Sequence, residues 1–497
     1  MSLSTVNVPT MSFGLALGWV SLASGEAAAG EAGGAGDEEA GRGAVIAAVT
    51  TFTASLVGVP LSARALLAGR KIALIATSAC FVLCWSLKLA STWGGEWCVP
   101  AARVAAGLGG AAAWALAPLL AREMCSEKYC GAAVSALALA HNFGVLLMYL
   151  AADAAIPQRT VLWWCLGLSV THCVIFSFLP ESPSFLAAKG KLKEARAALA
   201  RLRGLPAADA ALAAELRALP PAEHAQSSWS LAREMLSDPQ RRRAFIIGAV
   251  AVIGQEVCGV LAILQYAERV FALARDEVPT PALPVGGAWS GGEGVPPTEL
   301  LSPARHAVIV GAVQLVMSAL SLYLVERVGR RPLLVTCAAL AGGALALAAA
   351  LAGASARVTA AAVTVAVAAD AAGLQPAPYA LLADMFHYRY RSCALMLASA
   401  GGCAGNALEV ALFPLAAAAG GLRAALALAA ALTGAYALFA LALVPETRAR
   451  SPEQIYAAVG PSRPTHPAPP TPDDCERGDA DEGTECKKSE RTECTSL

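Results

Sequence analysis

Residues 331–356 read "RPLLVTCAALAGGALALAAALAGASA", a stretch whose only charge is the first arginine. About 20 apolar residues cross the hydrocarbon core of a bilayer as one helix, and this stretch is long enough to do so. Residues 71–90, "KIALIATSACFVLCWSLKLA", repeat the pattern with two lysines as their only charges. The whole chain has 497 residues, 57% hydrophobic and 15% charged, with mean hydropathy +0.56. A soluble protein carries about 25% charged residues, spread along its length. A soluble core can bury one or two helices of this kind, but not a dozen.

Twelve spans are predicted, near 5–23, 43–63, 72–92, 98–121, 130–152, 160–180, 243–267, 306–326, 332–354, 358–383, 392–417 and 421–444. Their many Ala and Gly residues let helix backbones approach closely. The first span has no basic residue before it and no small-residue cleavage pattern at a suitable distance. It is expected to be a retained helix, not a removed signal peptide.

The formal net charge is zero, which gives no basic surface for nucleic acid. The placement of charge is more informative. Lys and Arg gather at 64–71, 122–128, 189–203, 241–243, 327–331 and 389–391, all on one side of the alternating spans. The positive-inside rule makes that side cytoplasmic, together with both termini, in a multi-pass protein of the plasma membrane. Fourteen cysteines show no regular CxxC or Cys/His spacing, so neither a metal nor another cofactor is expected. They read as small reduced hydrophobes.

The spans divide six and six. The organisation expected is an N-terminal half at 1–180, a cytoplasmic helical linker at 181–242, a C-terminal half at 243–447 and a tail at 448–497. In the linker, "KLKEARAALARLRG" (191–204) repeats Leu192, Ala195, Leu199 and Leu202 at helical spacing. Further short helices are expected at 207–219 and 229–236. The tail from Pro461 is poor in aliphatic residues and is expected to be disordered. The loop at 278–304 is turn-rich.

The halves also repeat. "AGRK" (68–71) answers "VGRR" (328–331), "PES" (180–182) answers "PET" (445–447), and Glu123 answers Asp384. The three displacements are 260, 265 and 261 positions (329 − 69, 445 − 180 and 384 − 123). Duplicated six-helix halves suit alternating access to a central site.

With these motifs the chain resembles the sugar porter branch of the major facilitator superfamily. The Gly-Arg-Lys/Arg turns are common to the superfamily. "PESPSFL" (180–186) and "VPET" (444–447) resemble sugar porters more specifically. "QEVCG" (255–259) resembles their seventh-helix motif, and Gln314 and "GWVS" (18–21) are most similar to the insect facilitated trehalose transporter-like group. The fold implied is an all-α bundle of twelve transmembrane helices in two pseudo-symmetric halves, with short cytoplasmic helices between them.

A sugar offers hydroxyls that both donate and accept, and Gln and Asn match both roles without a buried charge. The resemblance implies a site built from Gln255, Glu256, Gln314 and Tyr379, with Asn142 from the N-terminal half. Each has a plainer alternative, an interhelical hydrogen bond for Gln255 and Asn142 and simple packing for Tyr379. The prolines of "PAPYALLAD" (376–384) imply a broken helix. A cytoplasmic gate is expected from Gly69, Arg70, Lys71, Glu123, Glu181, Glu326, Gly329, Arg330, Arg331, Asp384, Arg391 and Glu446. Its alternative is orientation anchoring alone.

The sequence departs from the family pattern in several places. Leu66 takes the acid position before Gly69 that Glu326 fills before Gly329, and Cys130 replaces the usual arginine before Gly131. Leu261 stands where the family usually has an asparagine, and Gly402 and Cys403 stand where span eleven often has Asn-Trp. Gln265 replaces one of a pair of tyrosines, and Glu256 takes a glutamine position. An isolated carboxylate there is costly to ionise, and an ionisable residue inside a membrane is a functional candidate.

The leading expectation is a facilitative carrier of a hexose or a disaccharide such as trehalose, with no covalent chemistry. Span one lacks the acid of many proton-coupled relatives, which favours uniport. Two alternatives stand beside it: a proton-coupled or other-solute carrier using Glu256, and a sensor-like member without net transport. The partners expected are a small-molecule substrate and the lipid bilayer. Nothing in the sequence sets an oligomeric state.

Overall fold

A computed structural model describes residues 7–30, 36–95, 97–124, 127–203, 228–276, 302–448, 450 and 452–459, with isolated positions at 206, 212 and 216. The side chains of 21–45 and 117–135 fall outside the described set. So do the loop at 277–301, most of 207–219 and the tail from 460, and with them the expectations made for those segments.

The described residues are helical, with no strand among them. The first half runs α1 (Val8–Gly30), α2 (Gly36–Ala68), α3 (Arg70–Ser91), α4 (Cys98–Met124), α5 (Glu127–Asp153) and α6 (Gln158–Ser177). Three short helices follow, α7 (Pro183–Ala188), α8 (Leu192–Arg203) and α9 (Ser228–Ser237). The second half opens with α10 (Pro239–Gln255), α11 (Val260–Gln265) and α12 (Ala267–Asp276). It continues with α13 (Pro303–Val328), α14 (Arg330–Leu351) and α15 (Ala356–Ala369), a π-helical turn at Asp370–Leu374, and α16 (Ala377–Met385). It closes with α17 (Tyr388–Leu443) and α18 (Pro452–Val459).

Nine described helical stretches are long and apolar enough to cross a membrane, and shorter apolar ones lie at Val8–Val20 and Ala48–Ser62. The last of the nine is interrupted at Gly420 and at Gly421, whose φ is +70°. It therefore supplies two segments, where the eleventh and twelfth spans are predicted, and with the two shorter helices the described apolar segments number twelve. Large side chains on the outer faces stay exposed, such as Val316 at 65% and Leu415 at 64%. An apolar exterior of this kind fits lipid, not water.

Small residues set the packing. α1 lies against α5 so closely that a Cβ on Gly14 would stand 2.0 Å from the His141 carbonyl oxygen. A Cβ on Gly144 would stand 2.3 Å from that of Met11. Elsewhere in this half α4 packs on α2 and α3, and α6 on α3. In the second half α17 packs on α14 and α10, and α13 on the π turn and α15. The halves meet through α2 with α17, α5 with α13, and α1 with α11 and α12.

In the linker, α8 buries Ala195, Ala198, Leu199 and Ala200, but Leu192 is 55% exposed. The apolar spacing is right, yet Leu192 is the first residue of the helix and stays exposed among the described residues.

Candidate functional site

The seventh span is broken in the middle of "QEVCGVLAILQY" (255–266). α10 ends at Gln255, Glu256 is its C-cap, and Gly259 turns the chain at φ +88° before α11. A Cβ on Gly259 would lie 2.4 Å from the Ala429 Cβ, so the turn requires glycine by conformation and by contact.

Breaking a helix inside a membrane leaves backbone groups that must find partners. α17 supplies them. Glu409 accepts from the Ala262 amide at 2.8 Å, and Thr433 Oγ1 donates to the Cys258 carbonyl at 2.9 Å. The Tyr436 hydroxyl donates to the Ala251 carbonyl at 2.7 Å. The sequence reading missed these three residues. Glu409 carried a usable signal, an acid within the apolar run "NALEVALF" (406–413).

Span ten is broken as the prolines implied. The chain leaves α15 through the π turn, where the Gln375 amide donates to the Asp370 carbonyl at 3.0 Å, and re-enters a helix at Ala377. Asp370 is buried in this turn, and its Oδ1 has no hydrogen-bond partner. It too was missed.

These two breaks bring Tyr379 to Glu256. The Tyr379 hydroxyl donates to Glu256 Oε1 at 2.9 Å, and the Asn406 side chain of α17 is within electrostatic reach of the same carboxylate. The expectation of an isolated carboxylate is therefore corrected: Glu256 accepts from Tyr379 and has Asn406 beside it. Gly402 makes room for it, because a Cβ there would stand 3.3 Å from Glu256 Cγ and 3.7 Å from the Tyr379 oxygen.

A second group spans the halves. Asn142 Nδ2 on α5 donates to Ser318 Oγ on α13 at 2.6 Å. Gln314 lies one turn before Ser318 on α13, and both are buried. Buried oxygens without hydrogen-bond partners remain on Gln255, Gln314, Asn142 and Asn406, and both polar atoms of Gln265 lack one. No hydrogen bond among the described residues joins the Glu256 group to the Asn142–Gln314 group. The five expected residues thus fall into two clusters, with Gln255 adjoining Glu256 in the chain.

The residues expected at the gate form two matching devices. In the first half, the Lys71 amide donates to Glu181 Oε1 at 2.9 Å, as does the Ser182 amide. Lys71 Nζ donates to the Ser177 carbonyl at 2.6 Å, and Arg70 sits 5.1 Å over the Phe185 ring. In the second half, the Arg330 and Arg331 amides each donate to Glu446 at 3.2 Å. The Arg448 and Thr447 amides join at 2.8 and 2.9 Å. Each carboxylate therefore satisfies orphan amides at the start of a helix, α3 or α14. Gly69 (φ +151°) and Gly329 (φ +103°) precede those helices. A Cβ at either would fall within 3 Å of the capping carboxylate.

Arg330 also pairs with Asp384 at 3.0 Å, and Thr447 donates to the same carboxylate at 3.2 Å. Arg391 is within electrostatic reach of Asp384. Glu326 is exposed and joins none of these contacts among the described residues. The Glu123 side chain lies outside the described set. None of the ties just described joins a residue of 1–180 to one of 243–447.

The family model described as "Sugar (and other) transporter" matches residues 26–277 and 298–458. The chain belongs to this family. Among curated proteins it is similar to the galactose–proton symporter of Escherichia coli (strain K12), 29% identical over 236 residues, 47% of this chain and 45% of that protein. It is also similar to facilitated glucose transporter member 4 of Homo sapiens, 28% identical over 355 residues, 69% of this chain and 64% of that one. The chain thus spans about half the length of the symporter it matches. Among solved structures it is similar to the xylose transporter XylE from E. coli in its inward-open conformation. That likeness has TM-score 0.69 and 19% identity, and covers 92% of this chain and 98% of the other. XylE bound to 6-bromo-6-deoxy-D-glucose gives TM-score 0.66 at 20% identity, covering 92% and 99%. The expected major facilitator fold is therefore the fold found.

Proposed function

We propose that the chain carries a sugar across the plasma membrane by alternating access, as a uniporter, with both termini cytoplasmic. The halves are 1–180 and 243–447, joined by the linker at 181–242. One observation carries the reading. Buried amide oxygens on Gln255, Gln314 and Asn142 lack partners in the interior of a helical bundle of the sugar transporter family. A native interior leaves few such groups unpaired, and the hydroxyls of a sugar would supply what they lack. Glu256, through its bond with Tyr379, shapes one wall, and Asn142 contributes from the opposite half. The capping devices at Glu181 and Glu446 keep each half a single body, so that the halves can rock. The Arg330–Asp384 pair and Arg391 brace the cytoplasmic end of the second half.

The test is uptake by a transport-deficient host across hexoses, polyols and trehalose, with surface expression measured in parallel. Saturable flux of at least one sugar, insensitive to an uncoupler, is the expected result. Absence of flux for the whole panel at normal surface expression would favour a sensor-like role. Uptake against a gradient that an uncoupler abolishes would overturn uniport.

The Glu256–Tyr379–Asn406 group favours one alternative, a carrier that couples protons or binds another solute through Glu256. Under that reading Glu256→Gln flattens the dependence of uptake on external pH. Under the uniport reading the two profiles coincide.

A further inference from the structure

The first half holds two buried cations at the end of the bundle away from the Gly69 turn. Lys88 of α3 is fully buried, and its ammonium has no hydrogen-bond partner. It lies 4.2 Å from the centroid of the Trp19 ring and 4.3 Å from that of Trp85. Arg103 of α4 is 2% exposed and stands 4.9 Å over the same Trp19 ring. Its Nη1 donates to the Ala16 carbonyl at 3.0 Å, while its Nε has no partner.

No carboxylate among the described residues answers either charge. The titratable groups within electrostatic reach of Lys88 are Arg103 and the neutral thiols Cys84 and Cys165. Those acting on Arg103 are Cys84 and the phenol of Tyr266. α1 is the neighbouring helix, and the part of it whose side chains are described, "VPTMSFGLALGWV" (8–20), contains no acid. Tyr266 belongs to the other half, next to α11, and its buried hydroxyl also lacks a partner. Nearby, the Tyr149 hydroxyl of α5 donates to the Leu264 carbonyl, so the halves are in contact here.

Two indole faces do not replace the water that a buried ammonium and guanidinium give up. Buried charges are found with a counter-charge. Three hydrogen-bond donors, Lys88 Nζ, Arg103 Nε and Tyr266 Oη, are here buried and unsatisfied around a positive centre. We propose that Lys88, Arg103 and Tyr266 bind a small anionic group between the two halves, either a halide or the carboxylate of an acidic sugar. The group satisfies the donors, neutralises the cations and ties the first half to Tyr266. It therefore favours the arrangement in which this end is closed. Its residues are not those of the Gln255–Gln314 region, and its test does not depend on sugar transport.

The full chain, purified in a neutral detergent in sodium HEPES, is titrated with sodium chloride, sodium bromide or sodium glucuronate. Ionic strength is held constant with further HEPES. Thermal stability and tryptophan fluorescence are both read, since Trp19 and Trp85 flank Lys88. The expected result is a saturable rise in Tm with at least one of the three anions, with bromide adding saturable quenching if halides bind. Lys88→Met should weaken the apparent affinity about tenfold or more while raising Tm in the anion-free buffer, since it removes an unpaired buried charge. Chloride and bromide acting without glucuronate assigns a halide. Glucuronate acting alone, or displacing bromide, assigns the carboxylate of an acidic sugar. The proposal is overturned if none of the anions gives a saturable response, or if wild type and Lys88→Met respond alike. If Lys88→Met does not fold, the wild-type series decides, because an equal response to all salts at one ionic strength also overturns it.

Discussion

The two capping carboxylates give an internally controlled prediction. Glu446→Ala removes the acceptor for the amides of Arg330, Arg331, Thr447 and Arg448. The ion pair of the Arg330 side chain with Asp384 is left in place. Among the described residues, Glu181→Ala removes the acceptor for the amides of Lys71 and Ser182. Losing a helix cap costs about 1 kcal/mol, and a hydrogen bond to a charged group contributes about 1.5–3 kcal/mol. Both carboxylates are half-buried, so water recovers part of each loss. The net expectation is roughly 2–4 kcal/mol for Glu446→Ala and about half that for Glu181→Ala. For a cooperative unit the size of one half, each kcal/mol moves Tm by about 2–4 °C. The assay is thermal unfolding in detergent with a thiol-reactive dye, which buried cysteines such as Cys84, Cys258 and Cys337 report on exposure. Gln at either site keeps one acceptor without the charge and should fall between wild type and Ala. A Glu181→Ala loss equal to or larger than that of Glu446→Ala would refute the capping argument. So would the absence of any shift.

Gln255→Leu and Gln314→Leu should leave Tm unchanged or slightly higher, because each removes an unpaired buried oxygen, yet lower sugar uptake at least tenfold; a large loss of Tm would mark these residues as structural. Tyr379→Phe removes the hydrogen bond to Glu256 at a cost of about 1.5–3 kcal/mol, and should raise KM for uptake with surface expression unchanged. Glu409→Ala frees the Ala262 amide inside the bundle and should lower Tm by several degrees, with Glu409→Gln restoring most of it. Gly144→Leu cannot be accommodated 2.3 Å from the Met11 carbonyl and should abolish folded, surface-expressed protein.

The capping devices show how far the sequence reaches. The repeat of "AGRK" and "PES" by "VGRR" and "PET" identified which residues belong together, and Glu181 and Glu446 do meet the turns they were grouped with. What they do there was not legible. They were expected to gate the cytoplasmic end of the bundle, and the ties observed there join no residue of 1–180 to one of 243–447. A spacing shows that two motifs are equivalent, but not which neighbour each one touches.

Within the candidate site the limit is similar. Gln255, Gln314 and Asn142 stood out because a polar residue is expensive in an apolar run, and that is a local property. Lys88, Arg103, Asp370 and Glu409 carried the same signal and were passed over, since no family motif drew attention to them. The Tyr379–Glu256 bond joins residues 123 positions apart, and the Glu409 contact joins residues 147 apart. No sequence window contains either.

By itself the sequence determined the membrane class, the twelve spans and the twofold repeat, because bilayer thickness and hydropathy act segment by segment. It also placed the break in span ten, since Pro acts on the backbone where it stands, whereas the break in span seven came only with the structure. Only the tertiary structure decided which buried polar groups are satisfied and which are left open. That depends on partners brought together from different helices, and in a low-dielectric interior a single missing or present partner changes what a residue can do.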